Sequence, residues 1–415
     1  MKVFKFGGAS LKNAQAIRNM VNIVKPHANT PLLVVVSAMG KTTNALEGAL
    51  NTFYKKGDHQ AEVEVIKAYH LSICRGLFPS PTTITSKLDQ LFSDLLKKFD
   101  GTHEYDQVYD QTVSFGELLS SVIVEQYLSS TGIQTNWVDA RNHIITDASY
   151  REGKVDWRRT EERSTSLKQV LQKNVIVTQG FIGGTEDGHH TTTLGREGSD
   201  FTAAIFASCL QAESVTIWKD VPGVMSADPK RLPNAIVFDE LPYKEAAEMT
   251  YYGASVIHPK TIKPLAMKQI PLYVKCFDDP SLPGTKIHEC HVENLPPLIV
   301  FKENQCLISC KVLDYTFLNE HQLSAIFHAL SELDVKINVM QNSAISFSFC
   351  VDFRENKVML LINKLQQLFE VYYNTGLTLI TVKNYNEETF NTYRKKSGVL
   401  IEQSSRSTLQ VLVKL

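Results

Sequence analysis

The chain has 415 residues, 43% of them hydrophobic, and its 43 basic and 44 acidic side chains leave a formal net charge of -1. That length supports two or three cored domains, and so even a balance excludes a global field for nucleic acid or an anionic membrane, leaving phosphate recognition to local groups. Nowhere do roughly 18 apolar residues accumulate as a spanning helix needs, and the opening MKVFKFGGAS lacks the apolar run of a secretion signal, so a cytoplasmic protein without membrane or nucleic-acid partners is expected.

In chain order, VFKF at 3–6 reads as a buried strand, Ala14 to Val24 as a helix, and the unbroken LLVVVSAMG at 32–40 as a strand apolar on both faces. The alternation returns as VIVTQGF at 175–181, a helix from about Asp200 to Gln211, and SVTIWKD at 214–220. This pattern implies an α/β sandwich with a mostly parallel sheet, in which ligands collect at the carboxyl ends of the strands.

The residues following each strand suit an anion. Lys5, Gly7, Gly8 and Ser10 follow the first, and Ser37, Gly40, Thr42 and Thr43 the second; Gly180, Gly183 and Gly184, then Asp220, Pro222 and Gly223, come later. Glycines let the backbone approach closely, and a turn feeding a helix points free N–H groups at a phosphate. Neither GxxxxGK[ST] nor GxGxxG occurs in its proper setting, and the HRD and DFG signatures are absent, which removes the main support for a P-loop, a dinucleotide fold or a protein kinase.

Past Pro296-Pro297 the texture changes to shorter strands and two amphipathic helices, placing a boundary there between a domain over 1–295 and a region over 298–415. CLISCKVL at 306–313 reads as a strand, with helices near His321 to Leu333 and Asn356 to Tyr372. KINVMQNSAISFSFCV at 336–351 and VLIEQSSRSTLQVLV at 399–413 echo one another: each is a strand, a Gln-polar-Ser turn and an alternating strand, with Phe347, Phe349 and Val351 answering Leu409, Val411 and Val413. Two small α+β repeats follow from this. The seven cysteines are dispersed and odd in number, which favours free thiols; His288, Cys290, His291, Cys306 and Cys310 have no standard zinc spacing, so no metal site is expected.

Seven blocks, KFGGAS at 5–10, VVVSAMGKTTNAL at 34–46, SFGELLS at 114–120, TQGFIGG at 178–184, TTTLGREGSD at 191–200, WKDVPGVMSADP at 218–229 and AAEMTYYGASVIHPKT at 246–261, resemble the aspartokinase signature set in family order. The resemblance implies an amino-acid-kinase fold that phosphorylates the side-chain carboxylate of L-aspartate with ATP and Mg2+, opening the route to lysine, threonine and methionine. It implies that Lys5 and Asp200 form the catalytic pair, and that Lys5, Gly7, Gly8, Ser37, Lys219, Asp220, Met225, Lys230, Ser255 and Val256 serve ATP. It further implies that Arg196 grips the substrate α-carboxylate, for which a planar fork is suited, that Glu117 pairs with the ammonium group, and that Thr43, Glu197, Gly198 and Ser199 complete the aspartate site.

This sequence departs from the family pattern at several of these positions. Lys219 stands for threonine, Met225 for tyrosine, Lys230 for arginine, Ser255 for lysine, and Glu197 for the glycine of RGGSD. A glutamate there implies that the turn does not need a positive φ or that the side chain bears mild strain, and its expected direction is toward solvent. For 298–415 the resemblance implies two intertwined ACT-like modules, the second cut short, that form a homodimer interface and bind a lysine or threonine effector near Asn338, Gln341 and Asn342. The first module has Phe317-Leu318-Asn319-Glu320 where a glycine is usual, so weakened feedback is expected. Two other readings remain open at this point: a degenerate amino-acid-sensing protein, and a kinase for another amino acid.

Overall fold

The strand Lys2–Phe6 alternates its side chains between two apolar environments, and that alternation organises the first half of the molecule. In the computed structural model, which describes residues 1–253, 257–313 and 316–414, this strand is central in an eight-stranded sheet. The order is Thr135–Val138, Val175–Gln179, Leu32–Val36, Lys2–Phe6, Ser214–Lys219, Leu272–Cys276, Thr285–His288 and Glu240–Pro242. The first six strands are mutually parallel.

Phe4, Phe6, Leu32, Val34 and Val36 face one side, where they share a core with the helices Ala14–Val24, Thr42–Tyr54, His59–Leu77 and Phe115–Ser130. Val3, Leu33 and Val35 are equally buried on the other side, against which the helix Gly198–Leu210 packs. Burial on both faces explains the unbroken apolar run of Leu32–Val36. The helix Ala14–Val24 begins where the sequence places it because Asn13 accepts the Ala16 N–H at 2.8 Å. A three-stranded sheet of Ile145–Thr146, Ile182–Thr185 and Thr191–Thr193 lies in the same contact unit, which comprises Met1–Val224, Val237–Ala247 and Ser255–His291.

The second contact unit comprises Met225–Ile236, Glu248–Ala254 and Val292–Leu415. Its six-stranded antiparallel sheet runs Ile337–Asn342, Ser346–Asp352, Leu298–Lys311, Glu370–Lys383, Thr408–Val413 and Val399–Ser404. The two 14-residue strands at its centre serve both halves: the register between them shifts around Lys302 to Leu307, so that each long strand leaves one repeat and enters the other. Phe347, Phe349 and Val351 enter one core with the helices Glu320–Glu332 and Glu355–Leu365, while Leu409, Val411 and Val413 enter a second core with Tyr393. The echo read from the sequence is thus a structural repeat. Cys306 and Cys310 are buried apolar-core thiols here.

One expectation needs correction, and one helix lies where none was expected. The helix expected from Asn356 to Tyr372 ends at Leu365, and Glu370 already begins a strand. The run Val371-Tyr372-Tyr373 is β-branched and aromatic, and pairing with Leu298–Lys311 overrides the helical spacing before it. A further helix, Glu387–Arg394, was not anticipated; Asn386 and Thr389 cap it reciprocally, a short signal inside a polar segment. Ile308 is fully buried beneath the first repeat. Ile308→Val is therefore expected to cost about 0.5–1.5 kcal/mol, read from the denaturant midpoint of the intact chain.

Candidate active site

Lys5 is placed by parity: it shares the face of Val3, over which the helix Gly198–Leu210 begins. Its side chain is buried and brings Nζ to 2.6 Å from Oδ1 of Asp200, in the first turn of that helix. Lys219, the last residue of the adjacent strand Ser214–Lys219, brings its Nζ to 3.3 Å from the other carboxylate oxygen. Burial acts to raise the Asp200 carboxyl, but the Lys5 and Lys219 ammonium groups outweigh it and hold the group below its ordinary value. The carboxylate therefore stays ionised between two cations.

These groups line a cavity of about 590 Å³ with Gly8, Ser37, Thr43, Glu117, Arg196, Glu197, Gly198 and Ser199. Gly8 is required by close approach, since a Cβ there would lie 2.7 Å from the Ala38 carbonyl oxygen. At Gly180 a Cβ would lie 2.5 Å from the Ser199 Cβ, so that glycine keeps Ser199 against the cavity. Gly7 passes beside Lys5, with space for a Cβ only 3.3 Å from Nζ.

Glu117 sits in the first turn of the helix Phe115–Ser130, which is buried on nearly every side there. Oε1 accepts the Ala38 N–H at 3.1 Å, while Oε2 is buried without a hydrogen-bond partner. Burial pushes its carboxyl up to about 8, against the opposing pull of the Ala38 N–H and Lys5. The N-terminal end of the helix dipole favours the carboxylate, but desolvation dominates.

Glu197 differs from the solvent-facing expectation. Its φ of 53° and ψ of 29° are left-handed, so the turn still demands the conformation that glycine adopts freely, and its Oε2 is buried within the cavity wall without a hydrogen-bond partner. The Cβ is accepted because Glu197 immediately precedes the helix, where one non-helical residue is tolerated. Arg196 is exposed at the same cavity.

Four further cavity residues, Tyr109, Arg151, Glu152 and Phe181, were missed by sequence reading. Arg151 lies 4.1 Å over the Tyr109 ring, with Nη2 3.3 Å from Glu47. Its backbone N–H donates to Asp110, which also accepts from the Thr193 N–H at 2.8 Å and hydroxyl at 2.7 Å. Burial raises the Asp110 carboxyl to about 6, opposed by those donors. Only Phe181 carried a signal, directly after the glycine that ends a recognised strand; Tyr109 and Arg151 reach the site through packing of distant segments.

The expected nucleotide residues divide. Asp220 lines a different hollow of about 370 Å³ with Asn13, Asn19 and Phe277. Met225 and Lys230 belong to the second contact unit, and Ser255 and Val256 lie outside the described residues. Of the expected effector residues, Asn338 is engaged with Lys302, Gln305 and Asp352, whereas Gln341 and Asn342 are exposed on an edge strand. Elsewhere, Glu240, His288 and Cys290 bring potential ligand atoms within 4.8 Å of one another, and His288 Nε2 lies 2.9 Å from Glu240 Oε2. No helix among the described residues is long and apolar enough to cross a membrane.

Residues 1–276 match the amino acid kinase family. The chain is 32% identical over 356 residues to the lysine-sensitive aspartokinase 3 of Escherichia coli K12, covering 84% of this chain and 78% of that protein. It is 34% identical over 294 residues to a chloroplastic bifunctional aspartokinase/homoserine dehydrogenase 2 of Arabidopsis thaliana, covering 69% of this chain but 32% of that longer protein. Among solved structures it resembles E. coli aspartokinase III in complex with aspartate and ADP (R-state), with a TM-score of 0.83 at 27% identity, covering 100% of this chain and 96% of the other. With the Lys5–Asp200–Lys219 cluster at the carboxyl ends of a parallel sheet, two ACT-like repeats toward the C-terminus of the sequence and these likenesses, the chain belongs to the aspartokinases, the aspartate-phosphorylating enzymes of the amino acid kinase family.

Proposed function

We propose that the cavity around Lys5 and Asp200 transfers the γ-phosphoryl group of Mg-ATP to the side-chain carboxylate of L-aspartate, giving 4-phospho-L-aspartate on the route to lysine, threonine and methionine. The observation that carries this reading is the Lys5–Asp200–Lys219 cluster, sharing one cavity with the buried Glu117. Two anions must be brought together, so the protein's work is alignment and neutralisation of charge on the transferring group. Lys5 supplies the cation at the phosphoryl oxygens, Asp200 orients Lys5 and Lys219, and Gly8 and Ser37 line the phosphate path. Magnesium bound with the nucleotide would supply Lewis-acid stabilisation of the phosphate charge. Asp200 is the carboxylate of the described cluster that would face it, and its ionised state fits a cation.

On the substrate side, Arg196 takes the α-carboxylate, Glu117 the ammonium group, and Thr43 and Ser199 give hydroxyl contacts. The unpartnered Oε2 of Glu117 supports a positively charged group there and argues against an N-acetylated substrate, whose amide carries no charge. ADP release with L-aspartate and Mg-ATP tests the activity; silence with several nucleoside triphosphates, aspartate binding being retained, would establish a sensor instead. Arg196→Ala is expected to raise the aspartate KM at least about tenfold, the loss of a charged hydrogen-bonding pair, and to leave the ATP KM near that of the unaltered enzyme.

The second unit is proposed as the dimer-forming and effector-binding region. A related structure, E. coli aspartokinase III with lysine and aspartate (T-state), supports lysine as the effector class. Because Asn338 is already engaged within the unit, inhibition by lysine is expected to be weak; strong inhibition at low lysine concentration in a coupled assay contradicts this.

A further inference from the structure

Apart from Asp200 Oδ1, which the Lys5 ammonium meets at 2.6 Å, two buried carboxylate oxygens of residues lining the reactive cavity lack a donor: Oε2 of Glu117 and Oε2 of Glu197. A buried acceptor left unpaired is costly, and native structures rarely tolerate one without a reason. Glu197 bears a second cost, the left-handed backbone at φ 53°, which a glycine would relieve. Among the described residues its side chain has no hydrogen-bond or ion-pair partner to offset either. Strain and an unpaired buried acceptor at one residue of a binding cavity point to a ligand that supplies the missing partner.

We infer that Glu197 is a second carboxylate of the substrate-ammonium site, a specificity-determining residue that acts beside Glu117 to demand a free α-ammonium group. The inference rests on the reading of this cavity as the aspartate site. An α-ammonium group carries three N–H donors, and two residues of the cavity wall, Glu117 and Glu197, each hold a carboxylate oxygen with none. Arg196 and Glu197 are consecutive and both line the cavity, so they present opposite charges side by side, as the α-carboxylate and α-ammonium of a zwitterion do. A divalent cation fits less well. Magnesium demands near-octahedral oxygen coordination, and the neighbour of Glu197 on the cavity wall is the cationic Arg196.

Glu197→Gln and Glu197→Gly in the intact enzyme test the inference, with Glu117→Gln in parallel. Both Glu197 variants are expected to raise the L-aspartate KM about tenfold, the effect of losing one charged hydrogen bond. The ATP KM should stay put, as should the inhibition constant of succinate, the same diacid without its ammonium group. Glu197→Gly should also unfold at the same temperature or higher, because it relieves the turn; a retained fold separates lost binding from lost structure. An unchanged aspartate KM in both variants overturns the inference. So does a loss of succinate binding equal to that of aspartate, or a change confined to the magnesium concentration needed for activity. If Glu117→Gln also leaves the aspartate KM unchanged, it is the assignment of the cavity to aspartate that fails, and not Glu197 alone.

Discussion

Lys5→Ala is expected to lower kcat by about 10²–10³-fold, the loss that follows removal of one preorganised charge-stabilising donor from a reacting centre. Lys5 is buried, and its partner Asp200 is held ionised by Lys5 and Lys219 together. Its removal leaves Asp200 with Lys219, so the charge on the transferring group is no longer balanced and the remaining lysine is drawn toward the carboxylate. The aspartate KM should change far less than kcat, because Lys5 acts mainly as charge develops on the phosphoryl oxygens. Single-turnover ADP release, measured with saturating Mg-ATP, separates this from slow product release. A variant with kcat near that of the unaltered enzyme would remove Lys5 from the mechanism.

The second large effect belongs to Glu117. Burial raises its carboxyl to about 8, so in the ligand-free protein at pH 7 most molecules hold that proton. An ammonium group beside Oε2 favours the carboxylate, so aspartate binding at pH 7 is expected to release close to one proton. Affinity should tighten as pH rises toward 8 and then level off. Isothermal calorimetry in two buffers with different ionisation heats reads the released proton directly, and Glu117→Gln should abolish it. Truncating one partner of such a buried charge pair costs about 2–5 kcal/mol of binding, so the same variant should weaken aspartate severely.

The stability consequence has the opposite sense. A folded-state value raised from 4.5 to about 8 gives a contribution fully present below about pH 4.5, which is lost as pH rises through 8. Glu117→Gln should therefore unfold at a higher temperature than the unaltered protein at pH 8.5, while binding aspartate worse. A site residue that destabilises its own fold is the sign of a group held for a ligand.

Much of this fold was legible in the sequence because its cause is local. The unbroken apolar strand Leu32–Val36, the Asn-capped helix Ala14–Val24 and the alternating strand Ser346–Asp352 each follow from side-chain period and terminal residues. Where the reading failed, a distant strand decided the outcome: Val371-Tyr372-Tyr373 continues a helical spacing in sequence, yet pairs with residues some sixty positions earlier. The candidate site divides in the same way. Lys5, Glu117, Arg196 and Asp200 stood out as charged residues in motif blocks, whereas Tyr109 and Arg151 sit in segments without such a pattern.

By itself, the sequence determined the alternating α/β order, the internal repeat near the C-terminus and the identity of the charged residues available for phosphoryl transfer. Only the tertiary structure decided what those charges do. The 2.6 Å approach of Lys5 to Asp200 joins residues far apart in the chain, and the unpartnered oxygens of Glu117 and Glu197 exist only once surrounding segments exclude water from them. Charge type is a local property, but the cost and direction of ionisation depend on desolvation and on neighbours in space, which no linear pattern encodes.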